Sequence, residues 1–232
     1  MQLYGALRRI LLWLWEHHGS PKLDGEIPRL AAIRPRNVTV TQDETRMLLE
    51  AAKPALKLWL LLCSDIALRS GTAARISGAH YNKETRSLRF VTKGQARQTL
   101  PVTEAIASII DPLDHLSTIP YVWQLWAKET GRKLQKDRSE DNREDVKILR
   151  RSLKQLRLQL GIERRIVAHD FRRTTAVALL NKTGDLRTVK ALLGHHDLKT
   201  TLWYIDHDAA QVDAETLEAI KQPFIIHRRQ IA

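Results

Sequence analysis

One short passage breaks the helical spacing that governs most of this 232-residue chain, and it limits the fold more than any other feature. In "SLRFVT", Leu88 and Phe90 alternate with polar neighbours, and "RQTLPV" answers with Leu100 and Val102. Strict alternation is the period of a strand, because successive side chains point to opposite faces. "KGQA" between the two runs makes a hairpin connection. The expected fold is therefore mainly α with a small antiparallel β-sheet, an α+β class.

The rest of the chain supplies the helices. Residues 3–17 place Leu3, Leu7, Ile10, Leu11 and Leu14 at helical spacing. "GSPKLDGEIPRLAAIRPRN" follows with two glycines and three prolines, and reads as an irregular linker over 19–38. Order resumes at Thr41, which forms a capping box with Glu44 ahead of Met47, Leu48 and Ala51. Residues 55–68 read as a second, mostly buried helix, "TEAIASII" restarts helix after the hairpin, and from about 121 onward the pattern is helical. Gly184 ends one helix and Asp185 caps the next, whose apolar side is Leu186, Val189, Leu192 and Leu193; Gly194 ends it. Asp197 caps a third, short helix with Leu198, Thr201, Leu202 and Ile205 inward, and a last helix carries Val212, Leu217 and Ile220.

Charge narrows the partners. Lys and Arg number 38 against 26 acidic residues, a formal surplus of +12, which favours a polyanion. Nucleic acid leads and an acidic membrane surface is the weaker alternative. The longest apolar runs, "ILLWLW" and "LWLLLC", are too short to cross a bilayer, so no membrane role is expected. Arg8 and Arg9 before an apolar stretch imitate a signal peptide, but Trp13, Trp15 and Glu16 stand where small residues would be needed. Cys63 is the sole cysteine and sits in an apolar run, as a small buried hydrophobe suited to a reducing compartment. In 144–160 the apolar stripe Val146, Leu149, Leu153, Leu156 and Leu160 is flanked by Lys147, Arg150, Lys154 and Arg157. That row suits phosphate contacts, with a merely solvated face as an equal alternative.

The chemistry-bearing residues cluster late. His169 and Arg172 are three apart and share a helix face. Tyr204 lies off the apolar stripe of its helix, so packing alone does not demand a tyrosine there. A basic surface, helix-borne cations, a histidine at a helix end and a free tyrosine fit attack on a DNA phosphodiester. Arginine forks match the non-bridging oxygens, a tyrosine oxygen is a covalent nucleophile, and a hairpin lysine can protonate the departing oxygen. Zinc is the rival use of His195, His196 and His207, but adjacent histidines on a turn do not converge and no cysteine is near. Blander readings stand beside these: Arg69 as a helix cap, His169 as a core histidine, Lys93 as a solvated hairpin residue with Lys83 and Arg97 nearby.

Taken together, the residues closely resemble the catalytic domain of the tyrosine recombinases, the phage integrase family. The family's His-x-x-Arg reads as His169 and Arg172, its Leu-Gly-His as Leu193-Gly194-His195, and its nucleophile falls on Tyr204 after Thr200-Thr201. The earlier arginine falls on Arg69 of "IALRSG" and the hairpin lysine on Lys93 of "VTKGQARQTLPV". The resemblance covers roughly 39–220 and implies the roles. Tyr204 forms a 3′-phosphotyrosyl link, Arg69, Arg172 and His195 hold the scissile phosphate, His169 is the acid/base partner of Tyr204, and Lys93 is the general acid. It further implies double-stranded DNA as partner, self-association as dimer or tetramer on DNA, no metal or other cofactor, and a bacterial or phage-encoded protein of the cytoplasm. Lys147, Arg150, Lys154, Arg157 and Arg173 are the expected DNA contacts. Two departures stand out. Thr72 occupies the place where members often carry an acidic residue three after the first arginine. Residues 1–38 are too few for the usual helical core-binding domain, and are expected to be its last helix and linker, a remnant before a catalytic domain at 39–232. A non-catalytic DNA-binding relic and a type IB topoisomerase are the competing functions.

Overall fold

Leu58, Trp59, Leu60, Leu61, Leu62 and Cys63 are all buried in succession, so this stretch of helix is covered on every side and other elements must surround it. The computed structural model describes residues 2–19, 38–91, 97–132, 143–195 and 201. Its elements are α1 (Gln2–His18), α2 (Gln42–Ala51), α3 (Pro54–Ser64), α4 (Ser70–Ala73), β1 (Tyr81–Asn82), β2 (Ser87–Val91), β3 (Arg97–Pro101), α5 (Glu104–Ile110), α6 (Tyr121–Thr130), α7 (Arg143–Gln159), α8 (Ala168–Thr183) and α9 (Leu186–Leu193). The chain divides into two compact units, Met1–Arg36 and Asn37–Ala232. In the first, α1 stacks the Trp13 ring on His17 at 5.1 Å between centroids, while Leu7 and Ile10 are exposed. The linker expected at 19–38 and the helices expected beyond Asp197 fall almost wholly outside the described residues, Thr201 excepted.

In the second unit α3 is the hub, packed by α5, α6, α7 and α8. Pro54 opens it at a position where a missing N–H costs nothing, and the Glu129 carboxylate of α6 accepts from the Ala55 N–H at 2.6 Å. The mainly helical class with one small sheet is what the structure has. The sheet runs β1-β2-β3, antiparallel throughout, with Leu88 opposite Leu100 and Phe90 opposite Gln98. Leu88, Phe90 and Leu100 face the core as alternation requires. β1 adds two residues that are too few to show any period. The Thr41–Glu44 box forms as expected, and Glu44 also takes a two-pronged pair from Arg164.

The helix expected over 55–68 stops at Ser64. The Leu68 N–H turns back to the Leu62 carbonyl at 2.9 Å, and Ala67 adopts a left-handed φ of +52° that no helix can contain. Ala67 then joins Ala176, Val189 and Leu193 in a small separate core that binds this turn to α8 and α9. That cluster is what brings residues 69, 172 and 195 into one neighbourhood.

Candidate active site

Three backbone devices aim the side chains. The first is the turn after α3. Asp65 receives the Ser64 hydroxyl at 2.8 Å and the Thr103 hydroxyl at 2.9 Å. The buried Trp59 indole donates to the Ser70 carbonyl at 2.9 Å. Arg69, half-buried, is thereby held at the position preceding α4. The second is the start of α8, where the Asp170 carboxylate accepts from the Val167 N–H at 2.8 Å and so satisfies one donor outside the first turn. His169 follows within that turn and keeps solvent contact, and Arg172, 3% exposed, follows one turn on. The third is Gly194, whose φ of +58° lets the chain leave α9 sharply and deliver His195.

Arg172 and His195 form the centre. The Arg172 guanidinium donates through Nη1 to the Ala67 carbonyl and through Nη2 to the Leu193 carbonyl at 2.6 Å, which fixes its plane. His195 Nε2 lies 3.5 Å from Arg172 Nη2, and its Nδ1 pairs with the Thr201 hydroxyl at 3.0 Å. Burial, then the charges of Arg172, Arg69 and His169, push the His195 imidazole down to about 4, so it is neutral at pH 7. Packing around the ring and then Arg172 hold His169 below its ordinary value too, with Arg69 acting in the same sense. Arg69, His169, Arg172 and His195 therefore act on one another electrostatically. Lys93 and Tyr204 lie outside the described residues.

A basic cleft of about 540 Å³ adjoins His169. Ser70, Arg150, Lys154, Arg157 and Arg165 are among its lining residues. Arg150 and Lys154 are exposed along α7, as is Lys147. Arg157 departs from that row: it is 7% exposed, and its Nη1 donates to the carbonyls of Ile162, Glu163 and Arg164 at 2.5–2.7 Å. Its reading as a DNA contact is corrected to that of an internal brace for the loop before α8. Arg173, also expected to contact DNA, is 4% exposed. Asp170, Phe171, Arg172 and Arg173 are all buried, and four consecutive residues cover most of a helix's circumference. Arg165 was missed; the "ERR" pair before α8 was its only signal. Thr72 lines a different cleft, of about 480 Å³, with Arg75, Ser77 and Arg89. Among the described residues no three His, Cys, Asp or Glu side chains gather as metal ligands. The buried Cys63 thiol is pushed up to about 12 by desolvation and is inert. Among the described residues no helix is long and apolar enough to cross a membrane.

A guanidinium with its plane fixed, a neutral imidazole beside it and a basic cleft alongside suit an oxyanion on a polymer of phosphates. Residues 39–211 match the model of the phage integrase family, and the chain belongs to that family. It is 29% identical over 200 residues to tyrosine recombinase XerC of Agrobacterium fabrum (strain C58), covering 83% of this chain and 59% of that protein. The chain thus spans about three fifths of the curated relatives it matches. In fold it is similar to the XerA recombinase, at a TM-score of 0.55 and 17% identity over 96% of this chain and 82% of that one. It is also similar to the XerH site-specific recombinase bound to difH substrate, at 0.54 and 18% over 80% and 53%.

Proposed function

We propose that the chain carries the catalytic region of a site-specific DNA recombinase that cuts and rejoins double-stranded DNA through a covalent 3′-phosphotyrosyl intermediate. The observation that carries this reading is the buried Arg172–His195 pair, electrostatically coupled to Arg69 and His169, within the residues that match the family. In the proposed reaction the Tyr204 oxygen attacks the scissile phosphorus and its proton passes to His169. The P–O5′ bond breaks, and Lys93 protonates the departing 5′ oxygen. Arg69, Arg172 and His195 hold the non-bridging oxygens, whose charge rises in the transition state. A 5′-hydroxyl from a second strand then attacks the phosphotyrosine and regenerates Tyr204. Each step exchanges one phosphodiester for another, so the chemistry calls for neither ATP nor a metal ion.

Recombination of two duplexes needs more than one protomer, so the chain self-associates on DNA as a dimer or tetramer. Residues 1–38 provide the last helix of a core-binding domain and its linker to the catalytic domain at 39–232. The cleft beside His169, with Arg150 and Lys154, takes DNA backbone, and Lys147 on α7 adds to that surface. The setting is the cytoplasm of a bacterium, with the gene carried by the chromosome, a phage or a mobile element.

The test is a denaturing gel of the protein mixed with its flanking genomic DNA in EDTA, beside Tyr204→Phe. A covalent adduct with wild type alone is expected. DNA binding with no adduct on any fragment would leave a DNA-binding protein without the chemistry. Relaxation of a supercoiled plasmid by dilute monomer would point to topoisomerase action instead.

A further inference from the structure

We propose that Gln98 is a positioning residue that sets the Arg172–His195 pair by capping the end of α9 from the sheet; this rests on the recombinase reading. The sequence pattern poses the puzzle. Gln98 stands two residues before the buried Leu100 and opposite the buried Phe90, on the inward face of β3, where alternation calls for an apolar side chain.

The end of α9 answers it. A helix leaves its last four carbonyls without partners inside the helix. In α9 these belong to Lys190, Ala191, Leu192 and Leu193. The His195 N–H takes Lys190 and the Gly194 N–H takes Ala191, each at 3.2 Å. Arg172 takes Leu193 at 2.6 Å. Gln98 partners the remaining one and gives Ala191 a second donor: its single amide nitrogen donates to Leu192 at 2.8 Å and to Ala191 at 2.7 Å, across 94 and 93 residues of sequence. The carbonyl that orients Arg172 thus directly follows the two that Gln98 holds, and His195 leaves the helix one residue beyond Gly194. Because β3 is locked in register by β2, the amide fixes the helix end relative to the sheet. Without it the Leu193 carbonyl is free to tilt, and the guanidinium that follows it moves away from the phosphate.

The test uses Gln98→Leu, which keeps the volume and removes the donors, and Gln98→Glu, which sets acceptors against two carbonyls. The probe is a synthetic duplex spanning the cleavage point mapped with wild type, with either the natural phosphate or a methylphosphonate at the scissile position. Adduct formation by Gln98→Leu is expected to slow by about 10- to 100-fold on the phosphate, the cost of roughly an ångström of misplacement. Affinity for the duplex stays within about twofold, because it rests on many phosphate contacts. The methylphosphonate carries no charge for the guanidinium to offset, so most of the loss disappears on it. Gln98→Glu is expected to be the slower of the two. An unchanged rate for Gln98→Leu, or an equal fall on both duplexes, overturns the proposal. A wild type that forms no adduct sinks the recombinase reading and this proposal together, whereas an active wild type beside a fully active Gln98→Leu sinks only the latter.

Discussion

At the scale of single residues, protonation of His195 is where the site's geometry becomes measurable without DNA. Its imidazole is held at about 4 in the folded chain, by burial first and then by Arg172, Arg69 and His169, against about 6.5 when unfolded. Between those values the unfolded state binds the additional proton, so stability falls as pH drops from 6.5 towards 4. Below 4 both states are protonated and this group adds no further loss. His169 and His80, both lowered chiefly by burial, act in the same direction. Glu44, held at about 2 by Arg164, loses its contribution only below the ordinary carboxylate range. The urea midpoint is therefore expected to decline between pH 7 and 4.5, and His195→Gln should decline less steeply. Parallel curves for the two proteins would refute the assignment. Arg172→Lys tests the guanidinium itself. A lysine ammonium has no planar fork to span the Ala67 and Leu193 carbonyls. Loss of about 2 kcal/mol in urea unfolding is expected, because bonds from a buried charge are lost, together with loss of the DNA adduct.

At the scale of elements, the boundaries set by local chemistry were legible in the sequence. Thr41 and Glu44, Gly184 and Asp185, and Gly194 all mark helix ends through bonds made within a few residues, and the hairpin declares itself by alternation. The end of α3 was not legible. Ala67 turns left-handed within a bond network whose partner, Arg172, lies 105 residues on, and no local pattern encodes that. Arg157 misled for the same reason: its spacing places it beside the apolar stripe, but the carbonyls it braces exist only once the loop before α8 has folded over it. Gly78, in the 3₁₀ turn Gly78–His80, shows a contact of this hidden kind that can be tested. A Cβ there would stand 1.7 Å from the His115 carbonyl oxygen, a backbone atom. That backbone is tied down, since the His115 ring meets the Tyr121 hydroxyl at 2.6 Å and the Asp111 carbonyl at 3.2 Å. Gly78→Ala is expected to cost at least about 2 kcal/mol in urea unfolding. Gly71→Ala, in the helix α4 with nothing within 4 Å, should be neutral or stabilising by up to about 1 kcal/mol. Equal effects from the two substitutions would contradict the packing described.

At the scale of the whole molecule, the surplus of +12 favours a polyanionic partner but does not say where it would sit. The order Arg69, His169, Arg172, His195 was readable because each motif carries its own spacing, whereas the cleft is built from α7 and the loop before α8 and includes Arg165, which belongs to no motif. Salt dependence separates the residues that touch DNA from those that only look basic. Each phosphate neutralised releases a counterion, and the slope of log affinity against log salt steepens by about 0.9 for each. Combined Arg150→Ala, Lys154→Ala and Arg165→Ala is therefore expected to flatten the slope by about 2.7 on a non-specific duplex while leaving the fold stable. Arg157→Ala removes one positive charge from the same cleft, as each of those substitutions does singly, but strands three carbonyls. It should leave the slope nearly unchanged and lower the urea midpoint, at a cost of about 2–3 kcal/mol. Fluorescence anisotropy between 50 and 200 mM salt, roughly the range over which such contacts are most visible, checks both. A triple variant with the wild-type slope would remove the cleft from the DNA path. An Arg157→Ala that flattens the slope as a contact residue does would return that arginine to the DNA-facing row.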